Sequence, residues 1–329
     1  GKASEYAYFG DTTTVSNDLR KDGLGVYLTA KAVFEKYYTL PNLDDFYKRN
    51  YYASAYYAKS SYTDLIEDNQ IYISSKDEVS VFVKMDDADS YIKGFYTSCG
   101  FNKYFGKLET ALQSGASLER NNVEVVLLDL RSEFVITKQY NIGDNKNFVI
   151  SLDDGVKGDK TIRRSYVADS VDKTLITAGE NSSLTLSAHK SYSLIFDGGE
   201  RIAKITCGNL TINSKVVVKN LEITGDDQVV NGGAFWVENG TVTISGAEFT
   251  DNKFVGVSAS TTYYGTVLYA TNADVTISSS AFNNNSLSGA GLLYGGAIAV
   301  VTKSLNIVDT SFNKNSAQSE STLIGDSPF

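Results

Sequence analysis

Residues 232–252 read GGAFWVENGTVTISGAEFTDN, and this stretch decides the fold. Two glycines precede a short run of alternating apolar and polar residues, and a Phe-x-x-Asn ends the stretch. The same order of features returns in residues 265–285 and 296–315. A pattern that returns at a nearly constant interval indicates a chain built from repeated structural units.

The interval is nearly the same for every feature of the pattern. The isoleucines Ile244, Ile277 and Ile307 lie 33 and 30 positions apart, and the phenylalanines and final asparagines follow the same steps. Units of this length cannot bury an apolar face alone, so they stack on one another. An antiparallel sandwich explains the sequence less well, because sandwiches do not repeat at fixed intervals. The sequence therefore predicts a mainly β fold, a right-handed, single-stranded parallel β-helix.

Each conserved feature of a copy has a physical reason within such a stack. Alternating apolar residues such as Val242 and Ile244 point inward from short strands, and each Phe stacks on its equivalents in the coils above and below. The Asn is expected to take a left-handed turn and to hydrogen-bond along the stack, and the Gly permits a corner where no side chain fits. The predicted structural residues are Gly233, Phe249, Asn252, Gly265, Phe282, Asn285, Gly296, Phe312 and Asn315.

Two further predictions concern the parts around the copies. Residues 210–226 read as an earlier, degenerate copy in which Leu221 replaces the Phe. The segments 253–264 and 286–294 are polar and differ in length, which is typical of a variable loop on one side of a constant coil.

The first part of the chain has a different composition. Fifteen of the 22 tyrosines precede residue 110. The apolar spacing there favours helices at 29–38 and 43–59, followed by two short strands in 71–85 around a polar turn. Residues 105–122 predict one amphipathic helix that covers the open end of the β-helix, with Phe105, Leu108, Ala111 and Leu112 on its apolar face. We therefore predict a Tyr-rich α+β cap in residues 1–106 and a β-helix in residues 107–329.

Composition argues against several classes of partner. The net charge is −9 and no dense block of Lys or Arg occurs, which makes nucleic acid an improbable partner. No apolar run approaches the 18 or more residues of a membrane span. Cys99 and Cys207 are the two cysteines and His189 is the one histidine, so neither a zinc site nor another cofactor is expected. The two cysteines could pair or stay free.

The copies resemble a known group of proteins. GGAF at 232–235 and GGAI at 295–298, each followed by F-x-x-N, are similar to the repeats of polymorphic outer-membrane proteins and adhesin-like surface proteins. The similarity covers roughly residues 107–320, and the middle copy departs from it by having Tyr264-Gly265 in place of Gly-Gly. The resemblance implies a parallel β-helix, display at the cell surface or secretion, and adhesion. It transfers no ligand residue, because the matched positions are structural.

An enzymatic role is the main alternative, since β-helices also host polysaccharide lyases and glycoside hydrolases. Such chemistry needs two carboxylates that flank a cleft. Asp153 with Asp154, and Asp197 with Glu200, are the candidate pairs, but both lie in Asp-Gly turn sequences. His189 is interpreted as a surface residue. We expect no catalytic residue.

A tyrosine cluster in the first part of the chain is the candidate ligand surface. It contains Tyr37, Tyr38, Tyr47, Tyr51, Tyr52, Tyr56 and Tyr57. Half of these tyrosines are expected in a core, and Tyr51, Tyr52, Tyr56 and Tyr57 are the candidates for binding a glycan or a cell-surface protein. A subunit interface is a third reading of the cluster. The sequence also predicts end-to-end self-association, as in an extracellular filament, or further coils after residue 329.

Overall fold

The computed structural model describes residues 13–16, 25–31, 36–40, 42–43, 49–59, 61–73, 78–96, 100–165, 174–225, 231–301 and 303–320. The chain divides into two compact units, residues 1–107 and residues 108–329. We call them unit 1 and unit 2.

The described part of unit 1 consists of antiparallel strands and one short 3-10 turn, Glu67–Asn69. One sheet has the order β1-β2-β7-β4-β5, while β3 pairs with β6 and β8 pairs with β9. The strands are β1 Thr13–Ser16, β2 Gly25–Lys31, β3 Lys36–Thr39, β4 Tyr51–Tyr57, β5 Leu65–Ile66, β6 Gln70–Ile73, β7 Glu78–Asp87, β8 Ser90–Tyr96 and β9 Phe101–Phe105.

The helices predicted at 29–38 and 43–59 are wrong over the described residues, which form β2, β3 and β4. The register of β4 against β7 shifts between Ala53 and Ala55. This irregularity breaks strict alternation, so Tyr51, Ala53 and Tyr56 all contact the same core. The shift interrupts the period of two by which a strand is recognised, which explains the error. The two strands predicted in 71–85 are confirmed as β6 and β7, although they belong to different sheets.

Unit 2 begins with the helix α1, Leu108–Ser117, and continues as a parallel β-helix of about six turns. The mainly β fold and the parallel β-helix are therefore as predicted. Three long parallel sheets, here called faces 1, 2 and 3, receive one strand from each successive coil.

Face 1 contains β10 Asn122–Leu127, β13 Asn147–Leu152, β16 Ser183–Ser187, β19 Asn209–Ile212, β23 Thr241–Ser245, β28 Asp274–Ser278 and β33 Ser304–Val308. Face 2 contains β11 Glu133–Ile136, β14 Lys160–Arg164, β17 Leu194–Asp197, β20 Val216–Lys219, β24 Glu248–Thr250, β29 Ala281–Asn283 and β34 Ser311–Asn313. Face 3 contains β12 Tyr140–Asn141, β15 Ile176–Ala178, β18 Ala203–Thr206, β22 Phe235–Glu238, β27 Leu268–Thr271 and β32 Ile298–Val301.

The segments predicted as variable loops are partly ordered strands between faces 2 and 3. Two small parallel sheets form there, and Phe254, Tyr263 and Leu287 from them are fully buried. Burial of these side chains explains why the segments stack instead of looping out. The strands are β21 Glu222–Gly225, β25 Lys253–Gly256, β30 Ser286–Gly289 and β35 Ser316–Ser319 in one sheet, and β26 Thr262–Tyr264 and β31 Leu292–Tyr294 in the other.

The three copies of the sequence pattern stack in register, as predicted. Val242 pairs with Val275 and then Leu305, and Phe249 pairs with Phe282 and then Phe312. The ring centroids of Phe249 and Phe282 are 4.7 Å apart, and those of Phe282 and Phe312 are 4.8 Å apart. These distances match the spacing of neighbouring strands, so the rings form a continuous inner column.

The asparagines form the predicted ladder inside the stack. Asn252 Nδ2 donates to Asn285 Oδ1 at 2.8 Å, and Asn285 Nδ2 donates to Asn315 Oδ1 at 2.8 Å. Each amide also donates to a backbone carbonyl of the preceding coil, and Asn252 and Asn285 are fully buried. The predicted left-handed turn is displaced by one residue, because Asp251 and Asn284 take positive φ and the ladder asparagines do not.

Gly233 and Gly296 have the predicted corner role, but the prediction that Gly265 is their equivalent is wrong: Gly265 lies at the position of Gly232 and Gly295, and all three take positive φ. A Cβ on Gly233 would overlap the backbone of Thr266 in the next coil, and one on Gly296 would lie 2.6 Å from the Ser316 carbonyl. Gly265 also has a φ of +55°, which disfavours other residues. The coils therefore approach at this corner more closely than a side chain allows.

The degenerate copy is aligned differently from the prediction. Val218 pairs with Phe249, so Val218 and not Leu221 occupies the Phe position. Leu221 lies at the position of Asn252, and its N–H donates to Asn252 Oδ1 at 3.1 Å. The ladder therefore begins on the backbone of a coil that has no Asn of its own.

The amphipathic helix covers the first coil, as predicted, but it is shorter than the predicted 105–122, and Phe105, expected on its apolar face, is the last residue of β9. Leu108, Ala111 and Leu112 of α1 are buried, and α1 contacts β10, β11 and β12. The buried Lys146 donates from Nζ to the carbonyls of Ala116 (2.5 Å) and Leu118 (2.8 Å) at the end of the helix. Burial lowers the pKa of this amine. The contact holds α1 to the coil that follows.

Candidate ligand-binding surfaces

Only some of the tyrosines that were predicted to form a ligand surface are accessible to solvent. Tyr56 is fully buried beside Val83 and Met85, so its prediction as a ligand contact is wrong. Tyr51 is half-buried and packs against the same core. The bulge between Ala53 and Ala55 places both residues on the core side of β4. The side chains of Tyr37 and Tyr38, and all of Tyr47, lie outside the described residues.

Tyr52 and Tyr57 lie on the other side of β4, opposite Asp86 and Phe82 in β7. The rings of Tyr57 and Tyr62 meet edge to face with centroids 5.5 Å apart. The Tyr52 ring lies against Gly106, where a Cβ would overlap it. We call Tyr52, Tyr57, Tyr62 and Lys84 the tyrosine face.

Lys84 gives the tyrosine face its charge. Its Nζ lies 3.2 Å from Asp86 Oδ1, and the hydrogen bond to Asp86, together with that negative charge, raises the pKa of Lys84. All four side chains of the face are at least partly accessible. The face therefore combines half-exposed rings with one ion pair, a mixture suited to contact with polar ligands.

A second aromatic cluster, absent from the predictions, lies on the outer side of unit 2. It consists of Trp236, Tyr264, Tyr269 and Tyr294, and we call it the aromatic column. The ring of Tyr264 stacks on those of Tyr269 and Tyr294, with centroids 4.8 and 5.5 Å apart. Trp236 pairs with Tyr269 across neighbouring coils, and Tyr264 pairs with Tyr294. The rings thus follow the axis of the β-helix.

Two cations lie beside Trp236, which forms one end of the aromatic column. Lys204 Nζ lies 4.3 Å from the Trp236 ring centroid, and Arg201 Cζ lies 5.3 Å from it. Arg201 is itself buried and donates to the carbonyls of Asn231 and Gly232. At the other end Tyr294 is 53% exposed. The column therefore has a fixed cationic base and an accessible aromatic tip.

Burial within the column changes the chemistry of its hydroxyls. It raises the pKa of Tyr269, and the nearby charge of Glu238 acts in the same direction. A side-chain hydrogen bond to Thr271 acts in the opposite direction.

A sequence signal for this column exists. Trp236 alternates with the buried Phe235 and Val237, so period-two reasoning places it outside. Tyr264-Gly265 and Tyr294-Gly295 also recur 30 positions apart. The tyrosine pair is not predicted when Tyr264-Gly265 is aligned with the Gly-Gly of the other copies.

The candidate carboxylates for an enzyme have structural partners. Asp197 lies 3.3 Å from Arg163 and 3.6 Å from Lys219, and it accepts from Asn220 Nδ2 at 2.8 Å. Asp153 Oδ1 accepts from the Gly155 N–H at 2.8 Å, as in a simple Asp turn. Both aspartates thus have the structural role that was favoured for them.

His189 lies beside a depression of about 460 Å³ that Glu124 and Asp154 also line. Its Nδ1 accepts from the Ser191 N–H at 3.1 Å, and its ring stacks on Tyr192. Glu124 Oε1 accepts from Ser151 Oγ at 2.8 Å. Both side chains thus have local hydrogen-bond partners.

Among the residues that the structure describes, no three or more His, Cys, Asp or Glu side chains are grouped as metal ligands would be. Cys207 is a free thiol, and Cys99 lies outside the described residues. In the described ranges no helix is long and apolar enough to cross a membrane. Searches of protein-family models, curated proteins and solved structures with this chain find no match.

Proposed function

We propose that this chain is an adhesin-like, non-catalytic protein of the cell surface or the extracellular space, which binds glycans or cell-surface proteins. The observation that carries the proposal is the aromatic column: accessible rings at fixed positions on the outer side of a rigid β-helix. Aromatic side chains supply large contact area at small entropic cost, which is why they dominate binding surfaces.

Two further observations support a binding role over catalysis. The Phe and Asn columns inside the coils are fully used in packing and hydrogen bonds, so the repeat serves as scaffold. Asp197 and Asp153, from the two candidate carboxylate pairs, hold turns and ion pairs. The resemblance of the copies to adhesin-like repeats points the same way.

The test is a glycan-array and cell-binding measurement with the full chain. We expect Tyr294→Ala to reduce binding at least fivefold, because it removes the most exposed ring of the column. Leu292→Ala in the same strand is the matched control, since Leu292 is similarly exposed at 55% but contributes no ring. Tyr57→Ala tests the tyrosine face separately.

The same samples are then incubated with the bound polysaccharides, and released products are measured. Time-dependent cleavage would establish the enzymatic alternative and contradict the proposal. If neither tyrosine substitution changes binding, the aromatic surfaces are not the binding surfaces and that part of the proposal is wrong.

A filament subunit is the second candidate function, in which a second copy would cover the apolar side chains of the last described coil. Leu305, Ile307 and Phe312 have inward positions in the repeat but are 44%, 38% and 44% exposed. Sedimentation velocity over a range of concentrations tests this candidate. Association that Phe312→Asp weakens would support it, whereas a monomer at all concentrations would exclude it.

A further inference from the structure

The outer side of face 1 differs from the other outer surfaces of the β-helix. Its inward residues, such as Leu184, Leu210 and Val242, are fully buried, so the alternate residues point outward. In the strands β16, β19, β23 and β28 the central outward residue is always threonine. These residues are Thr185, Thr211, Thr243 and Thr276, and they pair in register.

Polar side chains flank the threonines on both sides. One flank consists of Ser183, Asn209, Thr241 and Asp274, and the other consists of Ser187, Asn213, Ser245 and Ser278. We call the three columns together the hydroxyl face. Neighbouring coils repeat at about 4.8 Å, and outward residues of one strand repeat at about 6.6 Å. The result is a two-dimensional array of small polar groups.

The central hydroxyls have no partner among the described residues. In the described part of the chain, the side chains of Thr185, Thr211, Thr243 and Thr276 have no hydrogen-bond partner. Each such hydroxyl can both donate and accept. Some flanking groups do bond to each other, such as Ser278 Oγ to Ser245 Oγ at 3.2 Å. The middle column therefore offers a row of available donors and acceptors.

Charge sets the hydroxyl face apart from face 2. Asp274 is the one charged residue among its twelve side chains, whereas face 2 carries an outward row of Glu133, Arg163, Asp197 and Lys219. A face without cations gives no attraction to nucleic acids or acidic polysaccharides. A face without aromatic or large aliphatic anchors is a poor match for a protein partner.

We propose that the hydroxyl face binds a neutral polysaccharide in an extended, ordered form. Such a ligand is uncharged, carries hydroxyl donors and acceptors along its whole length, and repeats regularly, as the face does. A single hydroxyl contact contributes little after exchange with water, so binding depends on many contacts made together. The face therefore selects long or crystalline chains over short soluble oligosaccharides. This inference rests on the proposed function as a binding protein.

The experiment measures sedimentation of the full chain with insoluble cellulose and chitin, and with soluble cellotriose as competitor. We expect binding to the insoluble neutral polymers that cellotriose does not compete away. The double substitution Thr211→Val/Thr243→Val keeps the β-branched shape and removes two central hydroxyls. It should weaken binding about tenfold. Thr211→Ser/Thr243→Ser keeps the hydroxyls and should retain most of it.

The matched control is Thr224→Val, which alters an exposed outward threonine in β21, away from the hydroxyl face. It should leave binding unchanged, and urea unfolding should confirm that all variants are equally folded. Wild-type binding that the double valine variant retains would overturn the proposal. Binding to pectin or alginate in preference to cellulose and chitin would also overturn it.

The outcomes separate this inference from the proposed function. Binding that depends on Tyr294 and not on the threonines leaves the proposed function standing and refutes the hydroxyl face. Threonine-dependent shaping of ice crystals without polysaccharide binding would assign the array to ice and refute our ligand class. Release of soluble sugars from the polymer would refute the proposed non-catalytic function itself.

Discussion

Buried aromatic residues have different surroundings in the two units. In unit 1, Tyr56 packs with Leu40 and with Val81, Val83 and Met85 of β7, none of which is a copy of Tyr56. In unit 2, the buried Phe282 lies between Phe249 and Phe312, its own equivalents from the coils on either side. A buried residue of the β-helix therefore packs against equivalent residues of neighbouring coils, whereas a buried residue of unit 1 packs against residues that have no equivalents.

This difference has an energetic consequence. In a stacked repeat, each coil contacts mainly its neighbours, so the cost of a substitution depends on whether a further coil covers it. Inner residues of middle coils should therefore tolerate change poorly, and the same residue types in the last described coil should tolerate it better. Paired substitutions at covered and uncovered positions test this gradient.

The first prediction compares two phenylalanines of one column. Phe282→Ala should lower the free energy of unfolding by about 4 kcal/mol, because it leaves a cavity between two stacked rings. Phe312→Ala should cost less than half as much, because Phe312 is 44% exposed. Urea unfolding followed by circular dichroism measures both. Equal losses of unfolding free energy in the two variants would contradict the proposal that the cost depends on whether a further coil covers the residue.

The second prediction concerns the asparagine ladder. Asn285→Ala should lower the free energy of unfolding by about 3 kcal/mol, because buried groups of Asn252 and the Phe249 carbonyl lose their partner. Asn283→Ala is the control, since Asn283 points outward two residues earlier in the chain. A ladder of no energetic importance would give the same small change for both variants.

The third prediction concerns the glycine corner. Gly233→Ala should destabilise unit 2 by about 2 kcal/mol, because the added methyl overlaps the Thr266 backbone. Gly158→Ala is the control, as a Cβ there meets no atom within 4 Å and its φ is not positive. Thermal unfolding of the two variants gives the comparison. A Gly233→Ala protein as stable as wild type would mean that the coils separate easily at this corner.

The fourth and smallest effect depends on pH and lies in the first coils. The Lys157 N–H and the Lys160 ammonium hold the pKa of Asp129 below its ordinary value of 3.8. Asp129 therefore contributes stability above its ordinary pKa, and this contribution is lost as pH falls through the lower folded value. Asp129→Asn should be slightly less stable than wild type at pH 7, and the two should converge near about pH 2. A constant difference across this range would show that the carboxylate charge is irrelevant.

The sequence predicted the β-helix well because its copies can be aligned with one another within a single chain. The nearly constant spacing of Ile244, Ile277 and Ile307 predicted the register without any knowledge of long-range contacts. Unit 1 offers no second copy, so the one bulge beside Ser54, which interrupts the period of two, was enough to hide the strand. The shift of the left-handed turn from Asn252 to Asp251 is a backbone detail that the pattern does not encode.

The candidate surfaces were harder to predict for a related reason. The abundance of tyrosine predicted a ligand surface in unit 1, but Tyr56 of that surface is buried in the core. The aromatic column forms from residues that are distant in sequence, Trp236 and Tyr294, and only the stacking of coils brings them together. The hydroxyl face likewise emerges from single threonines that are unremarkable within any one strand.

The in-register stacking of coils on face 1 is the central claim, and a distance measurement tests it most directly. Spin labels at Val149→Cys and Thr276→Cys, with Cys99 and Cys207 replaced by serine, would lie four coil steps apart along one column. At about 4.8 Å per step, the backbone separation should be roughly 19 Å, and moving the second label to Asn306 should add about one step. Electron–electron resonance should therefore give two narrow distributions that differ by about 5 Å. Broad distributions, or a separation that does not grow with the added coil, would contradict the account.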